Sequence, residues 1–170
     1  MKILIILSLD PSTVATGYAV IDSSIAEENL AEGLLEYGTI KPKPTARLSD
    51  RIRHIYDALQ DIIEKHRPDA IVTEDQFGGQ ITAVKALSQV RGAIMLLASQ
   101  NNLPMYLLAP TQIKKAITGI GNASKDKVID AVRRTFKIND EAERLTSDMA
   151  DAIAAGYTYL NYDTKKLRTA

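Results

Sequence analysis

Apolar runs separated by short polar breaks occupy the first part of the chain. Three of them are ILIILSLD, TGYAVID and GLLEYGTI, joined by polar or glycine-containing turns. Runs of this kind favour β-strands. The first run is almost wholly apolar, as expected of a central strand covered on both faces, whereas the third is mixed and suits an edge. The pattern therefore predicts an antiparallel meander of three strands.

Beyond this meander, apolar residues follow the three-to-four spacing of amphipathic helices, interrupted by two further strands. Helices are expected at 48–63, 81–100, 111–117 and 125–136, and DAIVTED and PMYLLAP supply the fourth and fifth strands. The last helix is expected to open at Ser147, a good N-cap, and to run to about residue 160. The sequence thus predicts an α/β fold, with a five-stranded mixed sheet of three antiparallel and then two parallel strands flanked by helices.

The size and composition of the chain fit one globular domain. With 170 residues and 45% hydrophobic residues, we expect a single domain over 1–170, with 161–170 as a flexible tail. Wholly apolar runs such as 3–7 are far short of the ~20 residues that cross a bilayer, so a cytoplasmic protein without a membrane partner is expected. Because the chain has no cysteine, thiolate catalysis and Cys-ligated zinc are excluded, and any metal must be held mostly by oxygen.

Positive charge is concentrated in one segment, although the whole chain carries 21 basic and 21 acidic residues. Between positions 114 and 137 the chain has a surplus of five positive charges, with seven basic side chains against two acidic ones. Such a segment could face phosphates, or it could be a solvated helix surface. The basic residues are Lys114, Lys115, Lys125, Lys127, Arg133, Arg134 and Lys137.

Four carboxylates fall where the predicted fold can bring them together. Asp10 ends the first strand and Glu74 ends the fourth, so parallel pairing of these strands would place both at one edge of the sheet. Asp148 and Asp151 are three apart in the first turn of the last helix and share one face. Each acid alone could have a structural role, as a turn or helix-start residue. Together they could bind hard divalent cations, which activate water and stabilise the leaving oxygen of a phosphodiester.

Five motifs carry a resemblance to a known family when they are taken in order. They are LSLDPSTVATGY, IVTEDQF, LSQVRG, IKKAITGIGNASKDKV and SDMADAIAAGY, and they extend over nearly the whole chain. In this order the sequence resembles the RuvC family of Holliday-junction resolvases, within the ribonuclease H-like superfamily. The resemblance implies a metal-dependent, structure-specific endonuclease that cleaves four-way junctions, with other branched DNA left open as substrate, in a bacterial cell or a phage-infected host.

The resemblance also implies a metal site. Carried over residue by residue, it implies that two Mg²⁺ ions, with Mn²⁺ as an expected substitute, are held by Asp10, Glu74, Asp148 and Asp151. One departure lies beside this site, because Ser12 stands where the family commonly has the glycine of Asp-Pro-Gly-Ser. The path of the turn after Asp10 is therefore left open.

Contacts with DNA are implied by the same resemblance. Lys114 and Lys125 would lie near the scissile phosphate, Phe77 would contact bases at the opened crossover, and Arg91 would support the loop or meet backbone phosphate. Resolving a junction requires two symmetric cuts, so a homodimer is expected, and the helix over 81–100 could meet its copy.

Two other classes of protein fit parts of the sequence. The stretch LDPSTVATGYAVID also resembles the phosphate loop of actin-like and sugar-kinase-like phosphotransferases, although those proteins generally need two such domains. A non-catalytic module that binds branched DNA would keep the fold and lack the chemistry. A cleavage assay separates this module from a nuclease.

Overall fold

The chain forms one mixed β-sheet with helices on both of its faces. The computed structural model describes residues 5–75, 81–139, 144–161 and 168–170. The strands and helices are, in order, β1 (Ile5–Asp10), β2 (Thr16–Asp22), α1 (Ser23–Glu28), α2 (Leu30–Gly33), β3 (Leu34–Ile40), α3 (Leu48–His66), β4 (Ala70–Glu74), α4 (Ile81–Gln100), β5 (Met105–Leu108), α5 (Pro110–Thr118), α6 (Lys125–Phe136), α7 (Ser147–Leu160) and β6 (Arg168–Thr169).

The order of the strands confirms the predicted sheet and extends it by one strand. The strands lie in the order β3-β2-β1-β4-β5-β6, with β1, β2 and β3 antiparallel and with β4 parallel to both β1 and β5. The short strand β6 pairs antiparallel with β5. Two residues are too few to leave an alternating pattern, so the sequence did not predict β6. The flexibility expected for 161–170 stays a prediction.

A helical connection between β2 and β3 replaces the short turn expected there. Asp22 begins α1 by accepting hydrogen bonds from the Ser24 and Ile25 N–H groups at 2.9 and 3.4 Å. Asn29 begins α2 in the same way, by accepting from the Ala31 N–H at 3.2 Å. Both residue types favour helix starts, but helices of six and four residues are too short for an amphipathic pattern to reveal them.

The sheet separates two hydrophobic clusters. Side chains of successive strand residues point to opposite faces, so Ile6 joins one cluster and Leu7 the other. Helices α3 and α4 contribute to the cluster that contains Leu7, and α5, α6 and α7 contribute to the cluster that contains Ile6. Burial of β1 on both faces confirms the central position predicted from its apolar run.

The last helix, α7, packs unusually close to the sheet because glycines remove side chains at two contacts. A Cβ atom on Gly17 would lie 1.9 Å from the carbonyl oxygen of Asp148, and one on Gly156 would lie 2.6 Å from Cδ1 of Ile21. Such distances are well inside van der Waals contact, so both positions require glycine for this packing. The close approach at Gly17 sets the start of α7 directly against β2.

One helix in the described part of the chain, α4, is long and apolar enough to span a membrane by length and composition alone. A core helix of a globular protein meets the same criteria, and one side of α4 packs into the core through Val90, Ile94, Leu97 and Ala98. The opposite side exposes apolar side chains, among them Ile81, Met95 and Leu96. The expected lack of a membrane partner stays a prediction.

Candidate active site

Acidic and basic side chains meet in a cavity at one edge of the sheet. The cavity has a volume of about 380 Å³ and is lined by residues of six elements and of the β1–β2 loop. Its charged lining residues are Asp10, Glu74, Asp151, Lys114 and Lys125. Asp148 is close enough to Asp10 and Asp151 to raise the pKa of both carboxyl groups. The structure therefore brings together all six charged residues predicted for the catalytic centre.

Parallel pairing of β1 and β4 places the first two acids at this edge. Leu9 pairs with Thr73, so Asp10 and Glu74, the next and last residues of the two strands, lie at the same end of the sheet. This arrangement confirms the reasoning from strand ends, which required the two strands to be parallel neighbours.

The start of α7 supplies the other two acids. Thr146, rather than the expected Ser147, is the N-cap, and its Oγ1 accepts a hydrogen bond from the Met149 N–H at 3.4 Å. The same hydroxyl lies 3.5 Å from Oγ1 of Thr39 on β3, so the cap is also tied to the sheet. Both Ser and Thr are good caps, which explains an error of one residue in the sequence interpretation.

Burial, with repulsion from neighbouring acids, raises the pKa of two carboxyl groups in this cluster. Burial raises the pKa of Asp10 to about 8, and the negative charges of Asp151, Glu74 and Asp148 add to the increase. Burial also raises the pKa of Asp151, while Lys125 and Lys114 act in the opposite direction. Two lysines thus offset only part of the negative charge, and the cavity retains an affinity for further positive charge.

The donor chemistry fits a hard divalent cation. The acidic residues offer carboxylate oxygens, the ligands that Mg²⁺ and Mn²⁺ prefer, and Mg²⁺ needs only one or two carboxylates because it keeps several waters. Among the described residues, no three His, Cys, Asp or Glu side chains lie close enough together to hold a metal ion as they stand. The fit to a cation therefore rests on the chemistry of the donors and on the convergence of their strand and helix ends.

Two helix ends direct the lysines toward the acids. The Ala109 N–H donates to Oε1 of Gln112 at 2.9 Å at the start of α5, which carries Lys114. Gly119 ends α5 in the left-handed conformation, with φ of 78°. Ser124 then caps α6, so that Lys125 is its first residue. The glycine-containing turn between the helices allows both lysines to line one cavity.

Side-chain hydrogen bonds define the turn after Asp10, which lacks the family's glycine. The Ser12 N–H donates to Oγ1 of Thr16 at 3.1 Å, and this hydroxyl donates to the Ser12 carbonyl at 2.7 Å. Ser12 Oγ also accepts from the Val14 N–H at 3.2 Å. From α3, Arg51 donates to the Thr13 carbonyl at 3.4 Å. The path left open by the sequence is therefore fixed by Ser12 and Thr16.

The remaining two predicted residues differ in what the structure says of them. Phe77 lies outside the described residues. Arg91 is largely buried and donates a hydrogen bond to the Glu74 carbonyl, and its Nη1 lies 3.8 Å from Oδ1 of Asp75. This geometry favours the supporting role expected for Arg91, and a phosphate contact stays a prediction. Sequence reasoning missed Asp75, although a second carboxylate directly after a strand-end glutamate was a visible signal.

The fold and this site define a metal-dependent nuclease with a ribonuclease H-like sheet. The family model described as crossover junction endodeoxyribonuclease RuvC matches residues 6–159, and the chain belongs to this family. The family assignment confirms the predicted class of enzyme, a Holliday-junction resolvase. It does not support the phosphotransferase alternative.

Individual relatives agree with this assignment. The chain is 36% identical to the crossover junction endodeoxyribonuclease RuvC of Chloroherpeton thalassium over 152 residues, which is 89% of this chain and 78% of that protein. It is 32% identical to the RuvC protein of Endomicrobium trichonymphae, covering 93% of this chain and 81% of the relative. The structure of T. thermophilus RuvC in complex with Holliday junction substrate superposes with a TM-score of 0.82 and 24% identity, covering 98% of this chain and 99% of the other. That similarity confirms the predicted fold.

Proposed function

We propose that this chain cleaves four-way DNA junctions by metal-assisted hydrolysis of phosphodiester bonds, with two Mg²⁺ ions held by Asp10, Glu74, Asp148 and Asp151. The observation that carries the proposal is the convergence of these carboxylates from β1, β4 and α7 at one cavity that two lysines also line. Mn²⁺, which shares the preference for oxygen ligands, should replace Mg²⁺.

The acidic and basic residues of the cavity have different roles in the proposed hydrolysis. When bound, the ions lower the pKa of a water and stabilise the charge on the leaving oxygen. The four carboxylates would hold the metals, and no protein nucleophile is needed because water would be the attacking group. Lys114 and Lys125 offer positive charge where a scissile phosphate would lie, and preorganised charge of this kind stabilises the additional negative charge of the transition state.

The exposed side of α4 supports a homodimer. Ile81, Gly92, Met95 and Leu96 lie on one stripe of the helix, opposite the residues that pack into the core. A Cβ on Gly92 would meet no atom of the described residues within 4 Å, so another helix could approach closely there. Exposed apolar side chains grouped in this way favour contact with another protein surface. A two-fold dimer would present two active sites to the two equivalent strands of a junction.

The basic segment supplies a surface for the arms of the junction. In this segment Lys127 and Arg134 line a groove between α5 and α6, whereas Arg133 pairs with Asp130 at 3.1 Å. Neutralising phosphates with lysine and arginine releases counterions, so binding should weaken as salt increases. We place this reaction in the cytoplasm of a bacterial cell or a phage-infected host, where branched DNA would be the partner.

A cleavage experiment with matched variants tests the proposal. Wild-type protein, Glu74→Gln and the exposed control Glu64→Gln are incubated with a mobile four-way junction, a fork and a linear duplex, with and without Mg²⁺. Glu74→Gln should bind the junction and fail to cut it, because phosphate contacts come mainly from other residues. Wild-type cutting by Glu74→Gln would overturn the site, and binding by the wild type without cutting would indicate the non-catalytic module.

Sedimentation tests the dimer separately. Leu96→Glu places a charge on the exposed stripe and should convert a dimer into a monomer at micromolar concentration. Glu64→Gln is again the control, since Glu64 lies on the surface of α3. A wild-type protein that is monomeric with and without junction DNA would contradict the proposed dimer.

A further inference from the structure

A largely buried ion pair lies next to the metal-binding edge, which is the end of the sheet that carries Asp10 and Glu74. The pair takes no part in the proposed hydrolysis. It joins Arg91 of α4 to Asp75, the residue that follows β4, with 3.8 Å between Nη1 and Oδ1. Only 16% of the Arg91 side chain and 12% of the Asp75 side chain are exposed. The same guanidinium donates to the carbonyl oxygen of Glu74 through Nη2. Arg91 therefore contacts the chain on both sides of the Glu74–Asp75 peptide bond.

The backbone at this point is fixed on its other side by β5. Glu74 pairs with Leu108, and the Asp75 N–H donates to the Leu108 carbonyl at 2.7 Å. Arg91 also lines a narrow space next to the metal-binding edge, together with Asp10, Glu74 and Leu87. The guanidinium thus forms part of the wall between the four acids and α4.

We propose that the Arg91–Asp75 pair is a positioning device for the metal ligand Glu74. The pair fixes the carbonyl of Glu74 and the direction in which the chain leaves β4, so that the Glu74 carboxylate faces the cavity. The pair also holds Asp75 on the side of α4, where Arg91 compensates its charge. Without this contact, Asp75 would be a fifth carboxylate beside the other four. The inference rests on the proposed function of the cavity, and it assigns to Asp75 a role that the catalytic scheme lacks.

Charge and burial explain why the pair must act as a unit. A carboxylate without this cation would add to the repulsion already present among the acids, and a largely buried guanidinium without this carboxylate would lose a charged partner. Groups that orient metal ligands in this way typically change metal affinity or activity by about 10–100-fold when they are removed. An arginine that served only to bind phosphate would not depend on Asp75.

A double-mutant cycle tests this dependence. Arg91→Gln, Asp75→Asn and the double variant are compared with the wild type in three measurements: folding in chelator by melting curve, Mn²⁺-induced change in melting temperature without DNA, and junction affinity in chelator. Each single variant should raise the Mn²⁺ concentration for half-maximal stabilisation by about 10-fold, and the double variant should be no worse than the more affected single variant. Junction affinity should change by less than about twofold, since phosphate contacts, which largely determine affinity, are not altered.

The chain offers a matched control on α3. Arg53 and Asp57 lie 3.5 Å apart, and 83% and 61% of their side chains are exposed. Arg53→Gln, Asp57→Asn and their double variant should leave the Mn²⁺ response unchanged, because exposed pairs contribute little.

Three results would overturn the inference. Weaker junction binding by Arg91→Gln, with Asp75→Asn silent, would make Arg91 a phosphate ligand. Lower melting temperatures with an unchanged Mn²⁺ response would make the pair purely structural. Additive effects of the two substitutions would show that Arg91 and Asp75 act independently. A wild-type protein that neither responds to Mn²⁺ nor cuts junctions would instead contradict the proposed function itself.

Discussion

Two carboxylates on the same three-stranded meander have opposite electrostatic environments. Asp10, at the end of β1, lies among other acids, and its pKa is raised to about 8, first by burial and then by its neighbours. Glu36, on β3, accepts from Lys65 at 2.5 Å and from the Tyr18 hydroxyl at 2.9 Å, and its Oε2 lies 2.8 Å from Nε2 of His66. Its pKa is lowered to about 2, mainly by the hydrogen bond from Lys65.

The difference separates a residue kept for stability from one kept for chemistry. Around Glu36 the protein supplies the compensating charge itself, so the folded state is stabilised without any ligand. Around Asp10 the protein gathers charges that it compensates only in part. A folded arrangement of this kind is costly until a cation arrives, and such sites are where perturbed pKa values indicate function.

The largest expected effect concerns cleavage. Asp10→Asn should lower the rate of junction cutting at least ~100-fold, because a bound metal contributes several kcal/mol to the transition state and ~1.4 kcal/mol is a factor of ten. Glu36→Gln should cut at the wild-type rate. Single-turnover cleavage of one junction by both variants checks the prediction, and equal losses in the two would erase the distinction between the sites.

A second prediction concerns pH in the absence of metal. The pKa of Asp10 is raised from 3.8 to about 8 in the folded state. Asp10 therefore does not reduce the free energy of unfolding below pH 3.8, and it reduces that free energy increasingly as pH rises toward 8. In chelator, Asp10→Asn should therefore melt above the wild type at pH 8, by about 4 °C or more, with the gap closing toward pH 4. Mg²⁺ or Mn²⁺ should raise the melting temperature of the wild type and much less that of the variant. A difference in melting temperature that increases toward acid pH would contradict the view that the charge of Asp10 destabilises the metal-free protein.

The close contact of α7 with the sheet gives a third prediction. Gly17→Ala and Gly156→Ala should each lower the free energy of unfolding by about 1–3 kcal/mol, since both add an atom to a filled space. Only Gly17→Ala should also weaken the Mn²⁺ response, because its Cβ would displace the backbone of Asp148. Melting curves with chelator and with Mn²⁺ distinguish the two variants. An equal metal response in both variants would show that the contact at Gly17 does not set the position of Asp148.

The smallest expected effect belongs to Glu36. Its pKa is lowered from 4.5 to about 2, so its stabilising contribution is present above pH 4.5 and is lost as pH falls toward 2. Glu36→Gln should cost about 1 kcal/mol at neutral pH, a modest value because the group is partly solvated. Denaturant unfolding at pH 7 and pH 3 should show a difference that shrinks on acidification. A constant difference would mean that shape rather than charge explains the effect.

The features that the sequence predicted correctly are those that depend on pattern and topology. Asp10 and Glu74 could be placed at one edge because strand ends are visible in the apolar runs and parallel strands end together. Helix α7 could be recognised from its small and apolar residues and its polar start. These signals are local, so a single sequence contains them.

What the sequence did not reveal depends on close tertiary contact. Nothing in the sequence around Gly17 shows that the backbone of Asp148, 131 positions later, would rest against it. The pairing of Asp75 with Arg91 likewise requires knowing how α4 crosses the end of β4. The strand β6 and the helices α1 and α2 are too short to generate a periodic pattern.

The position of α7 late in the chain has a consequence for biosynthesis. Proteins emerge from the ribosome with the N-terminal part first. A nascent chain can therefore form β1, β4 and the pairing between them while residues 147–160 are still inside the exit tunnel, but two of the four acids are then missing. Nuclease activity can begin only when α7 has emerged and docked on β1 and β2. Translation products that lack α7 would thus be unable to cut DNA, and junction cleavage would report that α7 has docked on the sheet.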